Sequence, residues 1–125
     1  MLTNLSIKNY ILINELELPF GDGFTVITGE TGAGKSILIG ALSLILGKRA
    51  DTDVLLHGDR KCVIEGTFAI SGYDLQDFFN ENELDYDEQA VLRREISTSG
   101  KSRAFINDTP VNLPVLKSLG ERLVD

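Results

Sequence analysis

An α/β fold with a β-rich antiparallel flank is what this sequence predicts, and three observations carry it. A strand, a glycine-rich loop and an apolar helix follow one another over residues 24–46. Alternating apolar and polar runs precede that unit. Further alternating runs, joined by short turns, follow it where a regular βα repeat would place more helices.

The loop is Gly29-Glu30-Thr31-Gly32-Ala33-Gly34-Lys35-Ser36, which fits G-x-x-x-x-G-K-[ST], the phosphate-binding loop of P-loop NTPases. A di- or triphosphate needs several backbone N–H groups converging on it, and Gly29, Gly32 and Gly34 leave the backbone free to wrap the anion. The loop feeds a helix whose first N–H groups and positive dipole end face the phosphates. In this pattern Lys35 reaches the β- and γ-phosphates and Ser36 supplies a hydroxyl to Mg²⁺. Glu30, Thr31 and Ala33 contribute backbone to the same cradle. The β-branched and aromatic run 24–28 reads as the buried strand before the loop. The apolar run 37–46, closed by Gly47, reads as a helix with a glycine cap.

The remaining elements are taken in chain order. Residues 2–20 predict two strands, with reversals at Asn9-Tyr10 or Asn14-Glu15, and Gly21-Asp22-Gly23 makes a turn before the loop strand. Residues 48–59 read as loop with one short turn. Residues 62–70 place Cys62, Ile64, Phe68 and Ile70 on one strand face. Leu75, Phe78 and Phe79 are spaced for a short amphipathic helix within 73–82, and the acidic stretch 81–88 reads as an exposed loop. Residues 89–96 and 102–106 form a hairpin around Ser97-Thr98-Ser99-Gly100-Lys101. A turn at 107–110 leads to a helix over 113–119 that stops at Gly120, with a strand or loop beginning at 123–125.

Composition narrows the class. Hydrophobic residues make up 42% and charged residues 25% of 125, the balance of a globular domain with its own core. The apolar run 37–46 is far shorter than the roughly 20 residues of a membrane span, and residues 1–5 lack a basic segment followed by an apolar one. The sole cysteine, Cys62, rules out an internal disulfide and reads as a buried, inert thiol. A formal charge of −7 argues against wholesale neutralisation of nucleic-acid phosphates, so any DNA contact needs a local basic patch.

Four stretches resemble one family: Leu2-x-x-Leu5-x-Ile7-Lys8-Asn9-Tyr10-x-Leu12-Ile13; the loop 29–36 with Ile37-Leu38; Leu46-Gly47-Lys48-Arg49-Ala50-Asp51; and Leu92-Arg93-Arg94-Glu95-Ile96 with the 100–107 hairpin arm and Pro110-Val111. Together they are similar to the N-terminal head of RecN-type bacterial DNA-repair proteins, SMC-like ATPases related to the ABC ATPases. Asp108 stands where that family more often has Gly. The resemblance implies that residues 1–125 are the N-terminal lobe of a split ATPase head, with the P-loop at 29–36 and the coiled coil and C-terminal lobe lying elsewhere. It implies ATP and Mg²⁺ as ligands, the C-terminal half of the same head and a second head of a homodimer as partners, and DNA as a partner of the full-length protein. It further implies a cytoplasmic, nucleoid-associated location, a role in recombinational repair of double-strand breaks, and no membrane contact.

After Ser36 no apolar strand ends in Asp-Glu, as a Walker B strand does. A chain lacking that glutamate is expected to bind ATP with little turnover. Two other readings stay open: a nucleotide-binding subunit of an ABC transporter, which needs Gln76 as its sensing glutamine, and a non-catalytic nucleotide-binding module. Gln76 itself reads as the polar face of the 73–82 helix. Lys8 and Thr31 are candidate nucleotide contacts. Arg49 and Arg94 read as solvated arginines, Lys101 and Arg103 as a small basic patch, and His57 as a loop histidine without metal-ligand spacing.

Overall fold

The computed structural model describes residues 1–20 and 32–124, with Gly32 and Ala33 described in their backbone alone. The 24–28 strand, the 21–23 turn and Gly29, Glu30 and Thr31 therefore lie outside the described residues. Among the described residues six strands form one sheet: β1 Leu2–Tyr10, β2 Ile13–Pro19, β3 Cys62–Ala69, β4 Gln89–Ile96, β5 Ser102–Ile106 and β6 Thr109–Val111. Their order is β2-β1-β3-β4-β5-β6, and every pairing is antiparallel.

Period-two alternation decides which side chains are buried. Leu5 and Ile7, then Cys62, Ile64 and Phe68, then Ala90, Leu92 and Ile96, then Ala104 and Ile106 line one face and are buried. Each large aliphatic chain among them contributes about 1.5–3 kcal/mol through burial. The opposite face carries Glu65, Arg93 and Glu95 and meets solvent. There the Arg93 guanidinium lies 2.9 Å from Asp108, 3.2 Å from Glu95 and 3.5 Å from Glu65, and 4.2 Å from the centre of the Phe105 ring.

Among the described residues three helices complete the fold, α1 Gly32–Ile45, α2 Gln76–Glu81 and α3 Leu113–Leu123, with a 3-10 turn at Thr52–Val54. α1 lies on the buried sheet face through Ala41, Leu44 and Ile45. Its seat requires small neighbours. A Cβ at Gly66 of β3 would collide with the Ile45 Cδ1, and one at Gly120 of α3 would stand 2.8 Å from the Leu46 carbonyl oxygen. α3 is capped by Asn112, whose side chain accepts the Val115 N–H at 3.0 Å, and it buries Leu116, Leu119 and Leu123. α2 anchors through Phe78 and Phe79, with Tyr86 edge-on to Phe79 at 5.4 Å.

Most predicted elements are found, with three differences. The first reversal is the two-residue turn Ile11-Leu12, since Tyr10 pairs with Ile13. Asn9 stays within β1 and Asn14 within β2. Thr109 and Pro110, read as turn, belong to β6, so the 107–110 turn shrinks to Asn107 and Asp108, both at positive φ (49° and 66°). That geometry is why glycine suits position 108, and aspartate tolerates it. Finally, α3 runs through Gly120 to Leu123. Gly120 marks a helix–helix contact and not a helix end, because what it provides is room for α1.

Candidate functional site

α1 is the element from which the site is built. It starts inside the loop motif, at Gly32, and Gly34, Lys35 and Ser36 stand exposed in its first turns. No acidic residue occupies its first turn, so its positive dipole end keeps full attraction for an anion. An exposed ammonium and hydroxyl beside such a helix end fit a phosphate with its divalent cation. Gly32 and Ala33 are the helix's first two residues, while Gly29, Glu30 and Thr31 fall outside the described part.

The far end of α1 is closed by groups from three other segments. Gly47 ends the helix with φ +107°, a conformation that favours glycine, and its α-carbon side packs on the Lys117 backbone. Arg94 of β4 reaches the same place. Its Nη1 donates to the Leu44 and Lys48 carbonyls, each at 2.7 Å, while Nε and Nη2 donate to the Ser102 hydroxyl at 3.1 and 2.7 Å. Arg94 is only 1% exposed, so its reading as a solvated arginine is overturned. It shares strand parity with Leu92 and Ile96, and that parity outweighs the preference of arginine for water. Desolvation lowers its pKa, and the neighbouring Cys62 partly offsets this.

Among the described residues the other buried polar side chain is Asn9. Its Oδ1 accepts the His57 N–H at 2.7 Å, and its Nδ2 donates to the carbonyls of Arg60 and His57 at 2.9 and 3.0 Å. Asn9 thus fixes the loop before β3, where His57 sits. Its φ of +56° was foreshadowed only by asparagine's tolerance of that region.

Among the described residues, two of the cavities near α1 are also lined by the segment that follows it. One, of 440 Å³, lies between Tyr10, the 40–44 part of α1 and the 48–54 segment, and Arg49 and Asp51 line it. The other, of 760 Å³, runs between the end of α1 and the start of α3, with Lys48, Arg49 and Lys117 on its walls. Neither is lined by Lys35 or Ser36. Arg49 is exposed, as read from the sequence. The Asp53 N–H donates to the Asp51 carboxylate at 3.1 Å, which holds Asp51 below the usual carboxylate range, while Asp51 pushes Asp53 above it. Lys8 is exposed on the sheet's outer face, as are Lys101 and Arg103 around the β4–β5 hairpin; Gln76 is exposed on α2. Cys62 is fully buried, and desolvation pushes its thiol up to about 11, so it is inert at neutral pH.

The arrangement matches known proteins in both sequence and fold. The chain is 45% identical over 127 residues to the DNA repair protein RecN of Bacillus subtilis, covering all of this chain and 22% of that one. It is 43% identical to the DNA repair protein RecN of Vibrio cholerae, again over the whole chain and 23% of the relative. The chain therefore spans less than a quarter of the length of these curated relatives. In fold it matches a chain from work on ATP-driven dimerization and DNA-stimulated activation of SMC ATPases, with a TM-score of 0.74 at 19% identity, over 98% of this chain and 78% of that one. The predicted α/β class, a P-loop head lobe with an antiparallel flank, is thus the observed fold. A family model described as an AAA domain matches residues 4–109, and the chain belongs to that family.

Proposed function

We propose that this chain is the nucleotide-binding N-terminal lobe of a RecN-like, SMC-family ATPase head that acts in recombinational repair of DNA double-strand breaks. The observation that carries the reading is the loop 29–36 running into α1, on a chain 45% identical to a DNA repair protein RecN. ATP is the ligand. Gly29, Glu30, Thr31, Gly32, Ala33 and Gly34 supply backbone N–H groups to its phosphates, Lys35 neutralises their charge, and the Ser36 hydroxyl holds Mg²⁺. When bound, the cation adds charge stabilisation at the phosphates. Lys35 is the catalytic residue within this chain because it meets the charge that builds on the phosphoryl group during transfer.

Turnover needs a second lobe. α1 is apolar on nearly all sides, yet Ile37, Leu38 and Leu42 are only partly covered and Ile39 is 52% exposed. A helix of that composition belongs inside a core. The C-terminal half of the same head is the proposed cover, and a second head of a homodimer closes over the nucleotide. DNA is engaged by the full-length protein, in the cytoplasm at the nucleoid. Among the described residues no helix is long and apolar enough to cross a membrane. The transporter reading is not favoured, since its sensing glutamine would be Gln76, which lies exposed on α2, and the relatives are repair proteins.

Calorimetric titration of Mg²⁺-ATP into the intact natural protein and its Lys35→Ala variant tests this. Lys35 is exposed and pairs with ligand phosphate, so the variant should keep its thermal transition and lose about 100-fold or more in affinity. Equal affinity in the two proteins would remove the phosphate assignment.

A further inference from the structure

Buried arginines are ordinarily met by carboxylates; Arg94 is met by the end of a helix. Its side chain is 1% exposed, and among the described residues no carboxylate lies within ion-pair distance of it. Its partners are the Leu44 and Lys48 carbonyls at the C-terminal end of α1 and the Ser102 hydroxyl at the start of β5. α1 has no basic residue in its own last turn. β4 therefore supplies from outside the cation that a helix C-terminus favours. Nη1 alone bonds two carbonyls while Nε and Nη2 fork onto the Ser102 hydroxyl, so the planar guanidinium fixes the direction of the helix end as well as its place.

The other end of the same helix bears Gly34, Lys35 and Ser36. Fourteen residues make a rod of about 21 Å, so a tilt of about 5° at one end displaces the other by about 2 Å. A shift of about 1 Å at a reacting group is enough to cost about 100-fold in rate. Arg94 ties the α1 terminus to both strands of the β4–β5 hairpin, being itself on β4 and bonded to Ser102 of β5. The hairpin tip also lies beside the segment after α1, since a Cβ at Gly100 would stand 3.6 Å from the Thr52 Cγ2.

We propose that Arg94 is a positioning residue for the nucleotide: by holding the C-terminal end of α1 to the β4–β5 hairpin, it sets where Lys35 and Ser36 meet the phosphates. The proposal rests on the phosphate-site reading above. It gives a buried residue about one helix length from the ligand an effect on binding that a plain stability role would not have.

The test is Mg²⁺-ATP affinity of the intact natural protein and its Arg94→Met, Arg94→Lys, Ser102→Ala and Lys35→Ala variants, measured well below each melting temperature. Arg94→Met should bind about tenfold more weakly than wild type, Arg94→Lys should recover part of the loss, and Ser102→Ala, which leaves Arg94 in place with one anchor fewer, should lose about two- to fivefold. If Arg94→Met does not fold, the lysine and Ser102 variants decide. Folded variants of Arg94 and Ser102 with wild-type affinity, beside a Lys35→Ala that has lost binding, would overturn the positioning role alone. Normal binding by Lys35→Ala, or no binding by wild type, would overturn the phosphate site and this inference with it.

Discussion

Arg93 and Arg94 are neighbours of the same kind on one strand, and the fold treats them as opposites. Arg93 points to the solvent face, where Asp108, Glu95 and Glu65 surround it and Phe105 lies under its guanidinium. Burial there works to lower its pKa, but the bond to Asp108, the charge of Glu95 and the bond to Glu65 outweigh it and raise it. Arg94 points into the core and meets only neutral oxygens and a thiol. A charge surrounded by carboxylates at the surface gains little over its hydration, because water screens the pairs. A charge held by the carbonyls of a helix end is desolvated, so each of its bonds matters more, and each partner left behind is costly. The cation with more opposite charges around it is therefore the one expected to matter less.

The sharpest way to break that comparison is to remove each side chain in turn. Arg94→Met strands the Leu44 and Lys48 carbonyls at a buried helix end and is expected to cost about 3 kcal/mol or more in urea unfolding. A loss below about 1 kcal/mol would mean that water or neighbouring N–H groups take over those carbonyls, and the contrast between the two arginines would fail.

A second, smaller effect comes from the thiol beside Arg94. The folded protein keeps Cys62 protonated up to about 11, whereas an unfolded chain releases that proton near 9. The unfolded state therefore binds fewer protons between those values, and stability falls as pH rises. The contribution is fully present below about pH 9 and declines from there to pH 11, by about 2 kcal/mol at most. Denaturation midpoints of wild type and Cys62→Ala should diverge across that window, with the variant showing the shallower fall. Tyr10, whose pKa is raised by burial and then by Cys62 itself, is coupled to that thiol, so the divergence reports the pair. Parallel curves would mean that Cys62 is less shielded than its zero exposure indicates.

How much of this was readable in advance depends on how local the deciding force is. Strand parity, the β4–β5 hairpin, the capping Gly47 and the anchors Phe78 and Phe79 follow from short-range patterns, and all are found. The loop 29–36 is read from residue types at fixed spacing, which phosphate chemistry dictates. Tertiary decisions were not legible. Gly120 reads as a stop in any single helix, and only the Leu46 backbone just after α1, which a Cβ there would approach to 2.8 Å, turns it into a contact. Asn9 reads as a reversal because the loop 57–61 that it bonds is 48 or more residues away. Arg94 is the instructive miss. Alternation with Leu92 and Ile96 pointed it inward, and residue type overruled that pattern even though α1 stood ready to receive the charge.

The smallest expected effect belongs to Arg93, and it completes the contrast. Its partner at the shortest distance, Asp108, is 85% exposed, so that pair is screened and held at an entropic cost; Glu95, at 14%, is the better-shielded one. Arg93→Met keeps a long apolar stem over the Phe105 ring and should cost about 0.5–1 kcal/mol. At 1 M salt the screening length falls to about 3 Å, so most of the loss should vanish there, whereas the loss in Arg94→Met should hardly change. Urea unfolding of both variants at low and high salt separates the two cases. If the Arg93 loss exceeds about 2 kcal/mol, or persists in salt, the three carboxylates and the aromatic ring act together as a shielded network. The outer face of the sheet would then carry as much of the fold's stability at this strand as the core face does.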